Sequence, residues 1–234
     1  MFAPLLGALI TFLLAGAVSV YAHKKWVSKW AERDFAPVKP SLVKVFGFST
    51  AVGTASAVTT GLLTQSVWLA ALFGLSAYFL TFAGIIDFQQ SQVPHEMTTA
   101  GIISSMVFSA AAYLSGSVFL DLTITGNLLN DSLIQVGAWV LMLAFFFVTI
   151  ALFIRNGMGW ADFKILFMIG FAYVGFIGFT AAGVLLVIGF VLQSVAFIVR
   201  RIMGIKKSGN EALPLIPALS LTYIIGSVAF LAIV

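Results

Sequence analysis

Cysteine is absent from the 234 residues, and histidine occurs only at His23 and His95. The first absence excludes disulfides, thiolate metal centres and cysteine nucleophiles. Two histidines give no basis for a histidine-rich metal site, so neither a metal nor an organic cofactor is expected. Charge is scarce as well: Asp, Glu, Lys and Arg make up 9% of the chain, whereas 61% is hydrophobic. A soluble domain carries about 25% charged residues. So few charges cannot build a water-facing surface, which makes lipid the solvent for most of the chain. The formal charge of +4 does not point to nucleic acid, because membrane proteins gather Lys and Arg in their cytoplasmic loops.

At about 20 residues per crossing, the expected fold is all-α: a polytopic transmembrane bundle of about eight spans, six to eight fitting the length. Hydropathy and helix breakers put the spans near 3–22, 45–63, 67–86, 98–115, 133–154, 165–179, 181–199 and 215–233. The first span has no positive charge before it and is followed at once by Lys24 and Lys25. That order is the reverse of a signal peptide's, so a retained helix is expected.

The basic residues give the bundle an orientation. Lys24, Lys25, Lys29, Arg33, Lys39 and Lys44 fall in the first long loop; Arg155 and Lys164 flank the loop before the sixth span. Arg200, Arg201, Lys206 and Lys207 precede the last span. With eight spans, all twelve lie on one face, and the opposite loops carry only Asp121 and Asp131. The basic face is therefore expected to be cytoplasmic, in the cell membrane, with the N-terminus outside. In segment 23–44, Trp26, Val27 and Trp30 alternate with basic residues ahead of Pro37 and Pro40. The pattern suits an interfacial amphipathic helix, either a lipid-surface anchor or a substrate-docking segment. Residues 1–80 read as N-terminal membrane helices with this basic loop, and 81–234 as the unit that holds the chemistry.

Three acids lie near span ends on the expected cytoplasmic side: Asp87, Glu96 and Asp162. A carboxylate at a membrane boundary is costly and usually functional. Asp87 closes the third span and precedes the polar run Phe88-Gln89-Gln90-Ser91-Gln92, after which Val93-Pro94 imposes an extended turn. Asp162 follows Gly157-Met158-Gly159-Trp160-Ala161, a Gly-rich turn expected to precede the sixth helix. If the two aspartates converge, they can do aspartic-protease chemistry. Carboxyls about 3 Å apart cannot both ionise and so share one proton. Taken alone, each Asp also suits a helix cap or a lipid-headgroup contact. A proton- or cation-coupled transporter and a non-catalytic scaffold remain open on composition and spacing.

These residues resemble the type IV prepilin peptidase family, including the archaeal preflagellin peptidases. The family's first motif is an Asp closing a helix, a polar stretch, then Pro with Thr shortly after. Asp87 and Pro94-His95-Glu96-Met97-Thr98 follow that order. The second motif, Gly-Met-Gly-x-Gly/Ala-Asp-x-Lys, matches Gly157-Met158-Gly159-Trp160-Ala161-Asp162-Phe163-Lys164. The family's Pro-Phe-Gly-Pro before the last helix keeps both prolines here, as Pro214 and Pro217. The resemblance covers roughly 80–234. It implies a membrane aspartic endopeptidase that cleaves basic leaders from prepilin- or preflagellin-like precursors at the cytoplasmic face. It also implies that Asp87 and Asp162 are catalytic, and it gives Gly157, Gly159, Ala161, Lys164 and Pro94 motif roles.

Ala161 stands where the wider Gly-x-Gly-Asp peptidases have glycine, and His95-Glu96 replaces the usual Asn or Asp after the proline. Many bacterial members also methylate the new N-terminus and carry a Cys-rich cytoplasmic domain. The corresponding segment 23–44 is short and cysteine-free, so methylation is not expected. Glu96 has two readings, complementing the dipole of its helix or contacting a basic leader. Lys164 likewise has two, holding Asp162 ionised or snorkelling to the interface.

Overall fold

Lipid offers a peptide group no hydrogen-bond partner, so an apolar chain must satisfy its backbone internally. The protein does so with helices. The computed structural model describes residues 2–32, 42–90, 93–115, 160–174, 176, 179–202 and 216–233. Among them are α1 (Phe2–Glu32), α2 (Leu42–Thr64), α3 (Val67–Gln90), α4 (His95–Leu114), α5 (Trp160–Ile169), α6 (Phe179–Ile202) and α7 (Ile216–Ile233). Among the described residues there is no strand. Four segments, Phe2–Ala22, Val43–Thr64, Val67–Phe88 and His95–Leu114, are long and apolar enough to cross a membrane; shorter apolar helices lie at Val184–Ala196 and Ile216–Ala229. This is a polytopic helical membrane protein. The span expected at 133–154, and Gly157 and Gly159, lie outside the described residues.

The first apolar span, Phe2–Ala22, falls where the sequence puts it, and α1 runs on to Glu32 through the segment expected to be helical, because no Gly or Pro interrupts the chain between Gly16 and Pro37. One boundary differs: α5, the expected sixth span, starts at Trp160 rather than near 165 and passes into a π turn at Gly170–Val174. The Ser109 hydroxyl of α4 donates to the Phe171 carbonyl inside that turn at 3.1 Å. A π turn loosens the regular ladder of carbonyls, and Ser109 takes up one of them.

Helix α3 is the centre of the bundle. Leu69, Leu72, Phe73, Tyr78, Leu80, Phe82 and Ile86 are almost wholly buried along its length, and it packs against α1, α2, α4 and α7. A helix apolar all round belongs in such a position. It follows α2 through a two-residue turn. Gln65 adopts the left-handed conformation (φ 55°) and its N–H donates to Gly61 O at 3.0 Å, closing α2. The Ser66 hydroxyl then accepts the Leu69 N–H at 3.2 Å, an N-cap for α3. Tyr78 reaches α1 through a 2.7 Å hydrogen bond with Ser19. The division expected after residue 80 falls inside this helix.

Helix directions follow from individual contacts. The last turn of α3 meets the start of α7 at Asp87–Ile216, and the starts of α4 and α5 meet at Thr99–Lys164. Gly189 of α6 faces Leu219 of α7, and Gly226 of α7 faces Leu185, so α6 and α7 are antiparallel. The C-terminal end of α3 and the N-terminal ends of α4, α5 and α7 therefore gather at one end of the bundle.

Candidate active site

The gathered end holds the polar chemistry of the described chain. Asp87 lies one turn before the end of α3, because the polar residues after it prolong the helix to Gln90. Its carboxyl is buried, at 7% exposure. A buried carboxyl is costly unless it is hydrogen-bonded, and the backbone N–H of Ile216 donates to its Oδ2 at 3.3 Å. Ile216 is the first residue of α7, where helix N–H groups have no intrahelical acceptor. Pro217 sits in that first turn, where a missing N–H costs nothing.

Asp162 lies in the first turn of α5, not in a turn ahead of the helix as the glycines suggested. Trp160-Ala161-Asp162-Phe163-Lys164 contains no breaker, and an acid in a first helical turn complements the positive end of the helix. Its side chain is half-buried, and its charge acts electrostatically on Asp87. The fold thus places two carboxyls far apart in sequence at the same end of the bundle.

The start of α4 forms the adjoining wall. Pro94 is its N-cap, in an extended conformation (φ −59°, ψ 129°), as the Val93-Pro94 pair predicts. The Pro94 carbonyl accepts the N–H groups of Met97 and Thr98 at 3.2 and 3.3 Å, which closes the helix start. Val93 and Met97 anchor this corner in the core. Glu96 is exposed in the first turn, where it complements the α4 dipole.

Lys164 spans from α5 to this wall. Its ammonium donates to Thr99 Oγ1 at 2.7 Å and to the His95 carbonyl at 3.4 Å. Desolvation lowers its pKa from the ordinary lysine value, and the Glu96 carboxylate opposes that shift. The lysine after Asp162 therefore ties the helix bearing Asp162 to the helix that follows Asp87. Ala161 lies beside Asp162, half-buried against the core.

Asp87, Asp162, Ala161, Lys164, Pro94 and Glu96, all singled out from sequence, belong to this one end of the bundle. Ile216 and Thr99 join the site through tertiary contacts that no local sequence signal marks. The two prolines at 214 and 217 signalled a helix start near 216, but nothing in the sequence says that its first N–H meets Asp87. Among the described residues no group of three or more His, Cys, Asp or Glu is placed to hold a metal ion.

A family model described as the type IV leader peptidase family matches residues 74–205, more than half of the chain and including both aspartates. No curated protein and no solved structure matches.

Proposed function

Because the chain belongs to the type IV leader peptidase family, we propose that Asp87 and Asp162 are the acid–base pair of a membrane aspartic endopeptidase. Its substrates are prepilin- or preflagellin-like precursors, cut between a basic leader and the hydrophobic helix that follows. The observation that carries this reading is the placement of both aspartates at one end of a lipid-embedded bundle, near enough for the charge of Asp162 to bear on Asp87.

The chemistry needs one proton between two carboxyls. The ionised carboxyl removes a proton from water, and the oxygen attacks the scissile carbonyl carbon. The protonated carboxyl donates a hydrogen bond to the carbonyl oxygen and gives up its proton as the tetrahedral diol forms. Collapse of the diol breaks the C–N bond: the leaving nitrogen takes a proton from the carboxyl that had accepted one from water, and the other carboxylate takes back a proton from a diol hydroxyl, which restores the one-proton pair. Only the carboxyls and water take part in these steps.

A coupled transporter using the same acids calls for them near the bilayer midplane, in broken helices. Asp87 and Asp162 are instead at helix ends, which supports the peptidase. The basic-loop asymmetry supports a cytoplasmic site, the side from which a basic leader would be presented. Residues 81–234 are the peptidase-like core in this reading, with the first part of α3 shared with the N-terminal helices. Glu96, exposed at the rim, is available to a leader's basic residues.

The test is incubation of the purified chain, in lipid vesicles, with a prepilin-like precursor. The expected product is the hydrophobic segment with a new, unmethylated N-terminus at the leader boundary, identified by mass spectrometry. A precursor still intact after prolonged incubation sinks the reading.

The Lys164–Thr99 contact gives a smaller effect. A hydrogen bond to a charged donor is worth about 1.5–3 kcal/mol, less where water screens it, as at this exposed rim. Lys164→Met and Thr99→Val are each expected to slow cleavage by a few-fold. The double variant should be no slower than the worse single one, since both remove the same contact. Multiplying effects in steady-state assays would show that the two residues act separately.

A further inference from the structure

The first turn of α7 is fastened to α3 at three successive levels. At the lowest, the Ser220 hydroxyl lies 2.7 Å from the carbonyl oxygens of both Leu80 and Ile216, and its single proton serves either. At the middle level, Gly84 faces Pro217 and Ser220 so closely that a Cβ there would lie 3.0 Å from Ser220 Oγ and 3.3 Å from Pro217 Cα. At the top, the Ile216 N–H meets Asp87 Oδ2. Leu80, Gly84 and Asp87 share one face of α3, since residues three and four apart stack along a helix. Ile216 is thereby held on both sides of its Cα: its carbonyl lies against Ser220 and its N–H against Asp87.

From this geometry we propose that Ser220 is a positioning residue for the aspartate pair, resting on the peptidase reading above. Through the backbone of Ile216 it fixes the N–H that occupies Asp87 Oδ2, which leaves Oδ1 as the oxygen available to Asp162, water and substrate. Gly84 is the small residue that lets the turn approach. Ser220 and the whole of α7 lie beyond the stretch 74–205 matched by the family, so the device is this chain's own structural evidence and not an extension of the match. Ser220 is 5% exposed, and a hydroxyl of that burial is used where its partners are. A loosened turn lets the Asp87 carboxyl rotate. Misplacing a reacting group by about 1 Å costs on the order of 10²-fold in rate.

Two readouts on the full chain in lipid test the proposal. The first is labelling by dicyclohexylcarbodiimide, which adds to protonated carboxyls in apolar surroundings, followed at Asp87 by mass spectrometry. It needs no substrate. Ser220→Ala and Gly84→Ala are each expected to raise the labelling rate at Asp87 several-fold. Thr222→Val should leave that rate unchanged, because the Thr222 hydroxyl bonds within its own helix, to Ala218 O at 2.8 Å. The second is cleavage of the prepilin-like precursor. There Ser220→Ala should lower kcat on the order of tenfold or more with KM little changed, and combining it with Gly84→Ala should add little. Unchanged Asp87 labelling in both variants, or a Ser220→Ala effect confined to KM, overturns the proposal. Raised labelling in a chain whose wild type cleaves no precursor upholds the positioning of Asp87 and overturns the peptidase reading instead.

Discussion

Asp87→Asn and Asp162→Asn, made separately, are each expected to lower leader cleavage by about 10³-fold or more while leaving the helix bundle folded. The magnitude follows from the chemistry. General acid–base catalysis by a positioned carboxyl contributes typically about 10²–10⁴-fold, and here each carboxyl serves in both the attack and the collapse. An amide can neither take a proton from water nor return one to the leaving nitrogen. The pair also acts as a unit, so the double variant should be scarcely slower than either single one.

The same variants separate catalysis from folding. Asp87 is buried against the α7 turn, and Asn keeps an oxygen that accepts the Ile216 N–H, so that hydrogen bond survives. Asp162 is half-buried in a first helical turn, where losing a charge costs about 0.3–1 kcal/mol. Precursor cleavage and thermal unfolding, measured on the same preparations, check both halves. Cleavage at the wild-type rate by either variant would remove that carboxyl from the mechanism. Loss of folding in either would mean that the carboxyl is needed mainly for structure.

What the sequence shows of this fold depends on how local the cause is. Long apolar runs imply helices by themselves, because a lipid-embedded backbone has no other open-chain solution. Pro94 could be read as a helix start because its fixed φ and missing N–H act on its immediate neighbours. The glycines at 157 and 159 flag permissive backbone ahead of Asp162 but do not say where the next helix begins; the helix claims Trp160 and Ala161 first. The π turn at Gly170–Val174 answers to tertiary packing against α4, which no local pattern encodes. Asp87 and Asp162 stood out because a carboxylate is conspicuous in apolar sequence. Ser220 did not, since a serine in an apolar helix is ordinary and its partners on α3 lie far away in the chain.

The largest expected effect on stability lies away from the aspartates, where α2 meets α3. Membrane helices gain no hydrophobic drive from packing together, so they depend on close van der Waals contact through small residues. Gly53 is such a point. A Cβ on it would lie 2.8 Å from the Gly74 carbonyl oxygen and 2.9 Å from Tyr78 Cβ, nearer than real side chains come. Neither neighbour can yield cheaply: one is backbone, and the other belongs to a ring fully buried and hydrogen-bonded to Ser19 on α1. Gly53→Val must therefore push α2 away from α3 and disturb the link to α1. Overpacking of this kind costs about 1–3 kcal/mol, which in a chain of this length lowers the unfolding midpoint by about 5 °C. Gly16→Ala is the matched control, because nothing lies within 4 Å of the Cβ it would add, and replacing a helical glycine is neutral or mildly stabilising. Thermal unfolding of both variants in the same detergent reads the difference. A Gly53→Val midpoint equal to that of Gly16→Ala would mean that α2 and α3 do not pack this closely, and the hub position of α3 would lose its support.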